Sequence, residues 1–130
     1  MAEDTTSGSK TNTPLREIPQ SISVVGAQEM RDRGVQSVSQ AIQYVPGVQI
    51  TNFGGAEVRN DWIVLRGFDA KITGDYRDGL NQLPYDQIRA RTDPYALERV
   101  EVIRGPSSVL YGHCLLYTST DHITMRWGMR

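Results

Sequence analysis

Several features that define other classes of protein are missing from this sequence of 130 residues. It has a single cysteine, Cys114, so no disulfide can form within the chain. It has no apolar run of about 18 residues, which excludes a transmembrane helix, and residues 1–10 contain no apolar segment of the kind that a signal peptide needs. Neither sign of charge dominates, since 14 Lys and Arg face 15 Asp and Glu. This balance argues against a protein that coats nucleic acid or an anionic membrane.

The residues that are present are distributed unevenly along the chain. Residues 1–14 are almost all Thr, Ser, Asn, Gly and charged residues, a composition that predicts a flexible leader. Residues 113–130 contain both histidines, the one cysteine and two of the four methionines, so their composition differs from that of the remainder. We therefore predict a domain over 15–112. We interpret 113–130 as a foreign or disordered tail, from cloning or a frame shift, outside the fold. The alternative is that the tail replaces a missing strand by pairing with an exposed sheet edge through residues 114–118.

Hydrophobic patterning predicts four short strands interleaved with three short helices. The strands are predicted at 21–25, 48–51, 62–65 and 99–104, where β-branched residues cluster or alternate with polar ones. The helices are predicted at 27–33, 38–45 and 93–98. Two polar loops, 52–61 and 81–92, are long for a domain of this size, and such loops are usually functional.

Local signals predict where the helices begin and end. Ser37 and Gln40 have the spacing of a capping box at the start of the second helix. Asp93 followed by Pro94 is typical of an N-cap and a first helical residue. Gly34 occupies the position that favours a glycine just after a helix.

Catalytic and metal-binding patterns are weak in this sequence. Both histidines lie in 113–130, so the domain offers no histidine base for a Ser, Cys or Thr nucleophile. His113, Cys114 and His122 lack the paired spacing of a metal site. We therefore predict no enzyme, no metal site and no resident cofactor. Tyr85 and the arginines that follow it could stack on a nucleic acid, but the balanced charge favours a small anionic ligand.

Five motifs follow one another in a specific order. They are 14–25 (PLREIPQSISVV), 38–48 (VSQAIQYVPGV), 65–68 (LRGF), 78–80 (DGL) and 93–112 (DPYALERVEVIRGPSSVLYG). Each is weak alone, but the ordered set and the length of the last motif are specific. On these motifs the stretch from Thr13 to Gly112 resembles the N-terminal plug domain of TonB-dependent outer-membrane receptors of the ferric-siderophore type.

The resemblance implies a fold, a location and partners. It implies an α+β plug domain with a small mixed four-stranded sheet, short helices and long loops, lodged inside a large β-barrel in the outer membrane of a Gram-negative bacterium. Its partners would be a ferric siderophore, whose iron is cargo, the receptor's own barrel, and TonB. Arg66 and Arg104 occupy the family positions that pair with acidic residues of the barrel wall. This pairing makes chemical sense, because a buried arginine needs a carboxylate partner.

The sequence departs from the family pattern in three respects. After Gly112 the family continues with a Gly-rich turn and a further strand, which we do not recognise in 113–130. The motif that engages TonB is not recognisable in 1–14. A barrel of about 22 strands, each of about 9–11 residues, needs on the order of 200–240 residues. We therefore expect a plug domain truncated at its C-terminal end, soluble by itself and unable to transport alone.

The resemblance places both long loops on the outer side, where a siderophore would bind. A site for such a ligand needs aromatic faces and hydrogen-bond donors. The residues of the two loops with this chemistry are Phe53, Arg59, Tyr85, Gln87, Arg89 and Arg91. The alternative function is a free-standing periplasmic binding or interaction module that shares the plug topology.

Overall fold

The computed structural model describes residues 4–5, 13–14, 17, 21–50, 61–70, 74–78, 80–81, 92–105 and 122–127. In chain order the strands are β1 (Asp4–Thr5), β2 (Thr13–Pro14), β3 (Ser21–Gly26), β4 (Val48–Gln49), β5 (Val64–Leu65), β6 (Phe68–Asp69), β7 (Asp75–Arg77), β8 (Leu80–Asn81), β9 (Leu97–Arg104) and β10 (His122–Trp127). The helices are α1 (Ala27–Asp32) and α2 (Val38–Ile42), and a 3₁₀ turn spans Pro94–Ala96. Neither described helix is long enough or apolar enough to cross a membrane.

A mixed sheet forms the centre of the described structure. Its five strands run in the order β3-β9-β10-β7-β8. Strand β9 pairs antiparallel with both β3 and β10, whereas β10 pairs parallel with β7. A smaller sheet has the order β4-β5-β6. The predicted α+β architecture around a small mixed sheet is confirmed.

The core lies where helices α1 and α2 pack on one face of the main sheet. Val100 and Val102 lie on that face of β9 because strand residues two apart share a face, and both are fully buried. Their cross-strand neighbours on β10, Met125 and Ile123, belong to the same cluster. The helices contribute further apolar side chains, including Met30, Val38, Ala41 and Ile42.

The helix ends follow the predicted signals, but α2 is shorter than predicted. Ser37 Oγ accepts the N–H of Gln40 at 3.1 Å, as a capping box requires. The predicted helix 38–45 ends at Ile42, because the Arg33 guanidinium donates to the carbonyls of Gln40 and Ala41, each at 2.9 Å. Those carbonyls are thereby occupied by a side chain rather than by the next helical turn.

The segment after Asp93 forms less helix than predicted. Asp93 Oδ1 accepts the N–H of Tyr95 at 2.9 Å, which confirms Asp93 as an N-cap. The helix predicted at 93–98 is only the 3₁₀ turn, because Leu97 already begins β9 and is 1% exposed. Burial of Leu97 in the core outweighs its helix propensity.

The prediction that 113–130 stays outside the fold is wrong for residues 122–127. These residues form β10, which lies between β9 and β7 in the main sheet. The physical reason is the alternation of this segment, since Ile123 and Met125 fall on the core face and are 1% and 2% exposed. The statement that the chain lacks a further strand after Gly112 is corrected by the same observation. The foreign origin of the tail stays a prediction.

The leader also contains more structure than its composition predicts. Strand β1 pairs antiparallel with β2, with Asp4 opposite Pro14 and Thr5 opposite Thr13. Threonine favours extended backbone, which agrees with its presence in both strands. The prediction of a flexible leader over 1–14 is therefore corrected for these four residues.

The face of β9 opposite the core carries a charged pair. Arg99 and Glu101 are two residues apart on the strand, so they share this face. Arg99 Nε lies 2.8 Å from Glu101 Oε1, and the two side chains are 11% and 2% exposed. The pair places a charge interaction inside the structure rather than at its surface.

Candidate functional site

The site is built on the turn that follows α2. Val45 donates its N–H to Ile42 O at 2.9 Å, and Val48 donates to Val45 O at 3.2 Å. Between them, Gly47 has a φ of +81°, which a glycine adopts without the steric cost that other residues meet. The turn at Pro46 and Gly47 leaves two successive carbonyl groups available to neighbouring segments.

Arg104 reaches this turn from the end of β9. Its Nη1 donates to Pro46 O at 3.0 Å, and its Nη2 donates to Ser23 Oγ on β3 at 2.7 Å. The guanidinium therefore bridges three segments that are far apart in the sequence. Its planar fork suits this task, because two donors point in fixed directions.

Arg66 reaches the same turn from the hairpin between β5 and β6. Leu65 pairs with Phe68, so Arg66 and Gly67 form a two-residue loop. Both have positive φ, +50° and +90°, as a type I′ turn requires. The backbone N–H of Arg66 donates to Gly47 O at 2.8 Å.

The two arginines singled out by the sequence motifs thus meet at Pro46 and Gly47. Arg104 binds the first carbonyl with its side chain, and Arg66 binds the second with its backbone. The contact is close, since a Cβ added to Gly47 would lie 3.3 Å from Arg66 Cγ. The sequence motifs identified both arginines but did not predict that they would meet at Pro46 and Gly47.

The conformation of Arg66 is unusual for its residue type. A residue with a Cβ loses roughly 1–2 kcal/mol in the left-handed region, and asparagine or glycine is favoured at this turn position. Arg66 nevertheless occupies it, and its side chain is exposed. Strained residues of this kind cluster at functional positions.

Two arginines supply the positive charge at this site. The Arg104 guanidinium and the Arg66 backbone N–H donate to the same turn, and among the ion pairs given for the described residues none involves Arg104. Within the same part of the chain, no three His, Cys, Asp or Glu residues are grouped as metal ligands would be.

The predicted ligand-binding residues lie outside the described residues. They are Phe53, Arg59, Tyr85, Gln87, Arg89 and Arg91. Their role stays a prediction. The structure does describe the last residue of each predicted loop: Asp61 Oδ1 accepts from Ser39 Oγ at 2.8 Å, and Thr92 Oγ1 accepts from Arg77. No sequence signal identified these contacts.

Comparison with known proteins identifies a family. The family model described as TonB-dependent Receptor Plug Domain matches residues 14–114. The ferrichrome outer membrane transporter/phage receptor of Escherichia coli K12 is 42% identical over 113 residues, which cover 85% of this chain and 15% of that protein. The ferrioxamine B receptor of Salmonella typhimurium SL1344 is 45% identical over 106 residues, which cover 79% of this chain and 15% of that protein.

Solved structures agree with the family match. The siderophore receptor PiuA from Acinetobacter baumannii superimposes with a TM-score of 0.74 at 27% identity, over 96% of this chain and 17% of that one. The chain thus spans about 15% of the length of the curated relatives described above.

Proposed function

The chain belongs to the TonB-dependent receptor plug domain family, and we propose that it acts as the plug of an outer-membrane receptor that takes up ferric siderophores in a Gram-negative bacterium. In this role the domain closes the receptor's barrel and takes part in ligand binding. TonB is the further partner proposed for the receptor. The role is binding and gating, with no catalytic step.

The observation that carries the proposal is the meeting of Arg66 and Arg104 at one turn. A domain that docks inside an acidic wall needs fixed cationic groups, and an arginine fork pairs with carboxylates in two-point geometry. Arg104 is held by two hydrogen bonds, and Arg66 is held by its hairpin. We propose that carboxylates of the barrel wall pair with both.

The ligand is proposed to bind the two long loops. Phe53 and Tyr85 offer aromatic faces, while Arg59, Arg89 and Arg91 offer cationic donors, and Gln87 adds an uncharged amide. The relatives are named for ferrichrome and ferrioxamine B, so these two ferric siderophores are the first to test.

The test is a ligand titration with the full-length receptor. We expect Tyr85→Ala and Arg91→Ala each to weaken binding of a ferric siderophore by roughly 1–3 kcal/mol, as the truncation of an anchor residue does. Arg31→Ala serves as the matched control for Arg91→Ala, because it removes an arginine outside the loops. Unchanged affinity in both loop variants would contradict the proposal that the two loops bind the ferric siderophore. Failure of the receptor to support growth on any ferric siderophore would sink the proposed function itself.

A further inference from the structure

The end of helix α1 places one arginine beside the end of helix α2. Gly34 has a φ of +60° and donates its N–H to Arg31 O at 3.0 Å. The next residue, Val35, donates to Met30 O at 3.2 Å and packs against the core. These two bonds form a Schellman motif, in which a glycine with positive φ follows the C-cap residue of a helix. That C-cap residue is Arg33, so the motif fixes the point from which its side chain leaves α1.

The Arg33 guanidinium contacts the last turn of α2 and the chain that follows it. Its Nη1 donates to Ala41 O and its Nη2 donates to Gln40 O, each at 2.9 Å. Its central carbon lies 5.0 Å from the centre of the Tyr44 ring, within the range of a cation–π contact. Nη1 also lies 3.3 Å from Glu29 Oε1 on α1. The guanidinium is thus held between the two helices.

The carbonyls that Arg33 occupies are those that a longer helix would use. If α2 continued, the N–H of Val45 would bond to Ala41 O. Instead it donates to Ile42 O at 2.9 Å, in the tighter pattern that is common at helix ends. A charged donor binds a carbonyl more strongly than a backbone N–H does. Arg33 therefore favours the turn that leads to Pro46 over a further turn of helix.

We propose that Arg33 is a positioning residue for the turn at Pro46 and Gly47, and that it acts through the end of α2. Pro46 O accepts from the Arg104 side chain at 3.0 Å. Gly47 O accepts from the Arg66 backbone N–H at 2.8 Å. By ending α2, Arg33 holds both carbonyls where these donors reach them. The inference deepens the proposed function, and its bearing on the barrel contact rests on that function.

Packing and hydrogen bonding have different roles at this turn. Val45 and Val48 pack against the core on either side of it. Apolar contacts are non-directional, so they hold the turn near the core without orienting its carbonyl groups. Hydrogen bonds are directional, and the Arg33 side chain that donates them is 23% exposed. The orientation of the turn therefore depends on Arg33.

The test measures amide hydrogen exchange and backbone chemical shifts in the chain of 130 residues by NMR. Arg33→Met removes the guanidinium and keeps an apolar stem. We expect the Arg66 amide to exchange about tenfold faster in this variant, because its acceptor is no longer held in place. The Cα shift of Tyr44 should move toward helical values, because α2 is then free to extend. The amide of Val102 on β9 should keep its exchange rate.

Arg31→Met is the matched control, because Arg31 is also on α1 and donates to Gln28 Oε1 in an exposed position. It should leave both readouts unchanged. Arg33→Lys covers the case in which Arg33→Met does not fold. It keeps the charge and loses the planar fork, so we expect the same two changes with smaller size. An unchanged Arg66 amide in the folded Arg33 variants, or an equal acceleration at Val102, would overturn the proposal.

The full-length receptor separates this inference from the proposed function. We expect Arg33→Lys to reduce siderophore uptake relative to Arg31→Lys. Faster exchange at Arg66 in the 130-residue chain, together with unchanged uptake by the receptor, would support the positioning role and contradict the proposed contact with the barrel.

Discussion

The guanidinium of Arg104 joins three chain segments that are distant from one another in the sequence. It lies 58 residues from Pro46 and 81 residues from Ser23. We expect Arg104→Gln to lower the free energy of unfolding by about 1–2 kcal/mol, because two charge-assisted hydrogen bonds in a partly exposed position are lost. Urea unfolding of the chain, followed by circular dichroism, measures the change.

The matched control for Arg104 is Arg126. Its Nε lies 3.4 Å from Glu98 Oε2, and the two side chains are 47% and 50% exposed. Exposed ion pairs of this kind contribute little, so Arg126→Gln should change the stability by less than about 0.5 kcal/mol. Equal effects of the two substitutions would contradict the bridging role of Arg104.

At the scale of single residues, the sequence predicts local contacts and misses distant ones. The caps at Ser37 and Asp93 were predictable because donor and acceptor lie within three residues of each other. The contacts of Arg104 were not, since they depend on how β3, β9 and the turn at Pro46 come together. The buried Glu101 was also missed, because strand alternation identifies its face but not the charge partner that allows burial.

At the scale of turns, Gly47 is the glycine whose replacement has a clear cost. Its φ is +81°, and an added Cβ would lie 3.3 Å from Arg66 Cγ. We expect Gly47→Ala to destabilise the chain by about 1–2 kcal/mol, because alanine is strained in this conformation and displaces Arg66. Thermal unfolding of the variant measures the effect.

Gly26 is the control for this prediction. An added Cβ there meets nothing within 4 Å, and its φ of −83° is ordinary for alanine. Gly26→Ala should therefore be neutral or stabilise the chain by up to about 1 kcal/mol, because it reduces the entropy of the unfolded state. A loss of stability at Gly26 equal to that at Gly47 would show that the backbone conformation is not the cause.

Strand β10 joins β9 to β7 in the main sheet. It pairs with β9 over six residue positions and with β7 over three, and it buries Ile123 and Met125. We expect a chain that ends at residue 121 to lose its cooperative unfolding transition, since β9 and β7 then have no common neighbour. A chain that ends at residue 127 keeps β10 and should unfold like the parent. Equal melting temperatures of the three chains would show that the tail adds nothing to the fold.

The case of β10 shows why elements were predicted unevenly. Its alternation of Ile123, Thr124 and Met125 is the same signal that predicted β9, but the unusual composition of 113–130 outweighed it in the interpretation. For helix α2 the error was the opposite, because the predicted helix was longer than the observed one. Its apolar spacing continues to Val45, but a side chain from Arg33 ends it earlier, and such a tertiary contact leaves no periodic trace in the sequence.

At the scale of the whole molecule, part of the described surface is apolar. Four large hydrophobic side chains among the described residues are more than half exposed: Tyr44, Phe68, Leu80 and Tyr95. Phe68 directly follows the hairpin of Arg66 and Gly67. An apolar side chain beside an exposed arginine is typical of a surface that another protein covers. The proposed barrel would supply that cover.

A substitution of Arg66 in the strained hairpin should affect the 130-residue chain and the full-length receptor differently. Asparagine adopts positive φ more readily than arginine, so Arg66→Asn should leave the stability of the 130-residue chain unchanged or raise it by a few tenths of a kcal/mol. In the full-length receptor the same substitution removes a guanidinium from the proposed contact with the barrel. There we expect lower thermal stability and reduced siderophore uptake.

Asp78→Asn is the control, because Asp78 has a φ of +48° in the turn between β7 and β8 and carries no positive charge. Asp78→Asn should change neither the stability of the 130-residue chain nor the stability and siderophore uptake of the receptor. If Arg66→Asn were equally silent in the receptor, the arginine would be a tolerated turn residue rather than a contact with the barrel.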